Sequence, residues 1–89
     1  MDEIFIDELE WDDENISKVA RHQLTVSEVY EALVLDPERT ASWGYDEEHG
    51  RRVMVIGTCE SHNKVIIAPL DPVNEAEGLW RPRTAWRLK

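Results

Sequence analysis

The chain has a single cysteine, Cys59, so no internal disulfide can staple it, and a reducing compartment is expected. No apolar run approaches the roughly 20 residues of a bilayer-spanning helix, so a helical membrane span is excluded. The first ten residues, MDEIFIDELE, lack the basic start and apolar centre of a secretory signal, and a cytoplasmic location is expected. No P-loop, dinucleotide glycine pattern or nucleophile elbow occurs. Positive charge is scarce: 10 Lys and Arg face 19 Asp and Glu. Long-range attraction of nucleic acid by the whole molecule is therefore not expected, although one basic face remains compatible with it.

The scarcity is uneven. Residues 1–45 carry 12 acids and 3 bases, whereas residues 46–89 carry 7 of each. Eight acids fall within residues 1–14, which suits a solvated face, repulsion of RNA or pairing with a basic partner. At 89 residues the chain allows one domain (1–89) with one core.

The stretch Trp11–Leu33 organises the rest. Before it, residues 4–11 read as a strand, with Ile4 and Ile6 on one face and Phe5, Leu9 and Trp11 on the other. Asp12 or Asp13 starts a helix with a narrow stripe of Ile16, Val19 and Ala20, ending at Arg21 and His22. Thr25 and Glu28 form a capping box, with Leu24 and Val29 as a hydrophobic staple, and Val26, Val29, Tyr30 and Leu33 continue the second helix. Asp36-Pro37 ends it. The period then falls to two. Strands are expected at 39–45, 52–58, 64–68 (stopping at Pro69) and 79–88, with turns at 46–50 and 60–63 and a loop at 70–78. Pro82 marks an edge or a bulge. The expected fold is α+β in two layers. An antiparallel sheet of four to five strands carries two adjacent N-terminal helices on one face, in the order β-α-α-β-β-β-β.

Unbroken alternation along 79–88 sends Arg81, Arg83, Ala85 and Arg87 to one face, and Trp80, Pro82, Thr84, Trp86 and Leu88 to the core. Such an arginine stripe suits phosphate or an acidic partner, or serves as a solvated edge. His22 is either a proton carrier at neutral pH or a helix-end group bonding nearby carbonyls. Trp43, on the weakest strand, is the best exposed candidate for stacking on a base. Cys59 and His62 have ligand-like spacing, but a structural zinc site takes four donors, so no metal is expected.

The pattern resembles the BrnT toxin family, small relatives of the RelE-type ribonuclease toxins. The resemblance rests on Trp11-Asp12, Asn15, Arg21-His22, Leu24-Thr25 and Glu28, then Asp36-Pro37, the strand from Arg51 to Gly57, the apolar strand from Lys64 to Ala68, and Arg81 to Ala85. It implies a sheet with two helices on one face, an antitoxin partner and metal-independent RNA cleavage without a cofactor. Under it, His22, Arg52 and Arg83 are the catalytic candidates, and Arg81, Arg83, Arg87 and Trp43 the residues that meet RNA or the partner. Trp86 stands where the family's closing strand commonly has arginine. An alternative is a non-catalytic module of the same fold that binds a protein, which the net charge of −9 favours.

Overall fold

The computed structural model describes residues 4–88. Its elements are β1 (Glu8–Leu9), α1 (Asp13–Arg21), α2 (Val26–Tyr30), β2 (Thr40–Asp46), β3 (Gly50–Cys59), β4 (Lys64–Asn74), β5 (Leu79–Pro82) and β6 (Trp86–Leu88). The strands form one sheet in the order β1-β5-β4-β3-β2, and β6 pairs with the far end of β4. The domain is α+β, and no helix among the described residues is long and apolar enough to cross a membrane.

Both helix starts follow from local chemistry. Asp12 Oδ1 accepts from the Asn15 N–H at 3.0 Å, and Asn15 Oδ1 accepts from the Asp12 N–H at 2.8 Å. Thr25 and Glu28 make the same reciprocal pair at α2, at 3.1 and 2.9 Å. Between the helices, Gln23 adopts the left-handed conformation at φ 63°. The Leu24 N–H reaches Val19 O at 3.0 Å and the Gln23 N–H reaches Ala20 O at 2.9 Å. This Schellman closure makes the sharp turn that so short a junction requires.

The inward face of α1 differs from the expected stripe. Asn15 and Val19 are buried, while Ile16 is 40 % exposed. Asn15 is drawn inward by two carbonyls: its Nδ2 donates to Glu10 O at 2.9 Å and to Pro82 O at 3.0 Å. Beyond Tyr30, α2 continues as wider π-turns over Glu31–Leu35 before Asp36-Pro37 ends it. It crosses the sheet at Gly57, where a Cβ would sit 1.9 Å from Ala32 O. Glycine is what permits that approach.

Val53, Val55, Ile66, Ala68 and Leu70 are buried on the sheet face that α2 covers. Arg52, Met54, Ile56, Val65 and Ile67 alternate with them and occupy the opposite face. The strand expected over residues 4–11 is reduced to Glu8–Leu9. It pairs parallel with β5 through Glu8↔Leu79, so the sheet is mixed and has six strands among the described residues rather than four or five antiparallel ones. Trp80 Nε1 donates to Phe5 O at 2.7 Å and fixes the chain there without a ladder.

β4 does not stop at Pro69 but runs to Asn74, taking up much of the expected 70–78 loop. Pro69 O accepts from the Arg83 N–H at 3.1 Å. The side of Pro69 that lacks an N–H thus faces the closing strand where its register breaks, a position proline tolerates. The closing strand is split. Leu70 stands opposite Pro82, yet Ile67 stands opposite Trp86, so four steps on one strand match three on the other. The extra residue is a bulge, and it reverses the phase of everything after it.

Candidate functional site

The bulge determines what faces the side that α2 leaves uncovered. Trp86 turns there beside Ile67, and Leu88, opposite Val65, is 39 % exposed, although unbroken alternation assigns both to the core. Arg87 stands opposite Ile66 and so belongs to the other face. The expected stripe of Arg81, Arg83 and Arg87 is therefore broken.

Arg81 turns back to α1. Its guanidinium pairs with Asp12, and its second terminal nitrogen lies 3.2 Å from Glu14 Oε1. The hydrogen bond to Asp12 raises the Arg81 pKa and holds the Asp12 carboxyl below its ordinary value. Arg81 anchors the start of α1 and is not a free binding group. Arg83 Nε lies 2.8 Å from Asp71 Oδ2. The N–H is too poorly aligned for a hydrogen bond, so charge attraction rather than a directed bond compensates this buried nitrogen.

A groove of about 450 Å³ opens between α1 and the uncovered face. α1 supplies Lys18, Arg21 and His22, the β2–β3 hairpin supplies His49 and Arg52, β4 supplies Pro69, and the closing strand supplies Arg83, Thr84 and Trp86. Four of the chain's 10 Lys and Arg thus converge with two imidazoles, and no carboxylate is among the described lining residues. Lys18, Arg21 and His22 share one helix face because they recur at i, i+3 and i+4.

Asp46 positions the hairpin side of the groove. Its Oδ2 lies 3.2 Å from His49 Nδ1 and 3.4 Å from an Arg52 terminal nitrogen. The His49 hydrogen bond is the foremost cause holding the Asp46 carboxyl below its usual range. With Nδ1 engaged by the carboxylate, His49 Nε2 is the ring nitrogen left to exchange a proton. Trp86 packs near the other imidazole, its ring centroid 6.5 Å from that of His22.

His22, Arg52 and Arg83 therefore line one groove. Arg87 lies in a separate cleft with His22, Gln23 and Trp86. Trp43 is elsewhere. Its register opposite Val53 turns it to the covered face, half-buried, with its ring 5.7 Å from that of Trp80 and Arg51 3.9 Å above it. Trp43 is thus half-buried rather than exposed, and Trp86 is the indole that lines the groove. The sequence alone does not reveal Lys18, His49, Thr84 or Trp86 as site residues. Its one usable signal is the basic spacing of Lys18, Arg21 and His22.

No family model, curated protein or solved structure matches the chain.

A second polar cluster lies where α2 meets the β3–β4 turn. Cys59 Sγ is buried, 3.4 Å from Glu31 Oε1 and 3.8 Å from His62 Nδ1. His62 Nδ1 is 3.5 Å from Glu28 Oε2, which Lys64 Nζ also approaches at 2.7 Å. The Lys64 hydrogen bond is the main cause lowering the Glu28 pKa, and hydrogen bonds from Ser61 lower that of Glu31.

Proposed function

We propose that the groove binds the phosphodiester backbone of single-stranded RNA, and that the chain acts as a BrnT-like toxin, a metal-independent endoribonuclease held by an antitoxin protein. The observation that carries this reading is the concentration of Lys18, Arg21, Arg52 and Arg83 in one groove of a chain whose net charge is −9. Arginine forks suit phosphate oxygens, and an indole beside them suits an unstacked base.

The chemistry needs a base, an acid and compensation for phosphate charge. One imidazole, His22 or His49, takes the proton of a ribose 2′-hydroxyl, and that oxygen attacks phosphorus. The bond from phosphorus to the 5′-oxygen breaks, and the other imidazole supplies the proton to the departing oxygen. The products are a 2′,3′-cyclic phosphate and a free 5′-hydroxyl. Arg52 and Arg83 balance the added negative charge on the phosphate oxygens.

A second reading, a non-catalytic module of the same fold that binds a protein, is favoured by a different observation. Ile56, Val65 and Leu88 lie 37–39 % exposed on the uncovered face beside the groove. Expression with growth and RNA integrity followed together separates the two readings. The first expects arrested growth and cleaved RNA, with His22→Gln keeping RNA binding but losing cleavage. For the purified protein, Arg52→Gln and Arg83→Gln should each flatten the salt dependence of RNA binding by about one unit of log–log slope. Intact RNA together with salt-independent binding would leave only the second reading.

A further inference from the structure

We propose that Glu28, Cys59 and His62, with Glu31 as fourth donor, form a site for a divalent transition metal of the zinc class. Cys59 and His62 are close in sequence, but they amount to a site only because α2 brings two carboxylates onto them. One ligand atom from each of Glu28, Cys59 and His62 lies within 4.8 Å of the others.

Three of the donor spacings are near those of a tetrahedral ion. At zinc bond lengths of roughly 2.0–2.3 Å, two donors on one tetrahedron lie about 3.3–3.6 Å apart. The donors stand 3.4 Å apart for Cys59 Sγ and Glu31 Oε1, 3.5 Å for His62 Nδ1 and Glu28 Oε2, and 3.8 Å for Cys59 Sγ and His62 Nδ1. The donors of Glu28, Cys59 and His62 lie within 4.8 Å of one another and must draw closer to hold a cation. One thiolate, one imidazole and carboxylates are also a donor mixture that zinc accepts and magnesium or calcium does not favour.

Ser61 competes for two of the donors. Its hydroxyl donates to Glu31 Oε1 at 2.6 Å and lies 3.1 Å from His62 Nδ1, and its N–H donates to Glu31 Oε2 at 3.1 Å, so ligation by Glu31 Oε1 displaces that hydroxyl. Glu28 uses Oε1 to accept from the Thr25 N–H at 2.9 Å, which leaves Oε2 to face the site. Binding exchanges one proton: the Cys59 thiol gives up its hydrogen to solvent and the thiolate sulfur bonds the metal. Lys64 is the built-in competitor, because its ammonium already neutralises Glu28 Oε2 at 2.7 Å. It sits on a flexible stem and must swing away when the metal enters. None of these donors lines the basic groove, so the site stands or falls independently of the proposed function.

The test titrates the reduced full-length chain, stripped of metal, with Co²⁺ and then Zn²⁺ near neutral pH. The expected result is one equivalent of Co²⁺ with a tetrahedral visible spectrum and a thiolate-to-cobalt band in the near ultraviolet, which Zn²⁺ then abolishes. His62→Ala should weaken Zn²⁺ binding by more than about tenfold, and Lys64→Met should tighten it. Because Cys59 is buried and its replacement risks the fold, the exposed His62 is the decisive variant. A cobalt spectrum without the thiolate band, no binding at all, or a Zn²⁺ affinity unchanged in His62→Ala would each overturn the proposal.

Discussion

Trp86 stands opposite Ile67 on the uncovered face, one residue out of the phase that Trp80 sets on the other side of the bulge. That single extra residue converts an expected core tryptophan into a wall of the basic groove. If Trp86 stacks on a base, Trp86→Ala should weaken binding of a short single-stranded RNA by about 1–3 kcal/mol, read by fluorescence anisotropy. An unchanged dissociation constant would remove Trp86 from the RNA site.

Asn15 joins three parts of the chain. It caps α1 reciprocally with Asp12 and donates to Glu10 O and Pro82 O from a fully buried side chain. Asn15→Ala strips partners from the Asp12 N–H and both carbonyls, and orphaned buried groups cost about 1–3 kcal/mol each. The expected loss is about 3 kcal/mol, since some of these groups regain water. Urea denaturation checks it, and a midpoint close to wild type would show that the polar junction contributes little.

Gln23 closes the helix junction in a left-handed conformation that glycine adopts without strain. Gln23→Gly should therefore stabilise the fold by about 0.5–1 kcal/mol, the relief of strain exceeding the added entropy of the unfolded chain. Thermal unfolding would show a raised midpoint, and a lowered one would mean that the Gln23 side chain makes a contribution that its backbone strain does not outweigh.

Four carboxyls, Asp12, Glu28, Glu31 and Asp46, are held below their ordinary pKa values, chiefly by hydrogen bonds from Arg81, Lys64, Ser61 and His49 in that order. A depressed folded-state pKa means that the unfolded chain takes up protons first as acid is added. The stabilisation is present above the unfolded carboxyl range, at pH of about 4–5 and higher, and is lost as pH falls through the folded values. Denaturant midpoints should thus decline steadily below about pH 5. Lys64→Met removes the foremost cause at Glu28 and should make that decline shallower.

Elements whose signals lie in consecutive residues were legible from the amino-acid order alone. The Thr25–Glu28 capping box, the stop at Asp36-Pro37 and the alternation across residues 52–58 are local chemistry, and each appears in the structure, the last within the longer strand Gly50–Cys59. His22, Arg52 and Arg83 were candidates through the family resemblance, and the structure brings all three to one groove. Tertiary structure decided which side chains share a surface. Strand faces depend on register with a distant partner, and one inserted residue at Arg83–Ala85 sends Trp86 and Arg87 to the faces opposite those expected. Lys18 and His49 reach the same groove only because α1 and the β2–β3 hairpin flank one sheet face, and Glu28 reaches Cys59 only because α2 lies over the β3–β4 turn. These proximities arise from packing between segments far apart in the chain, which no local pattern encodes.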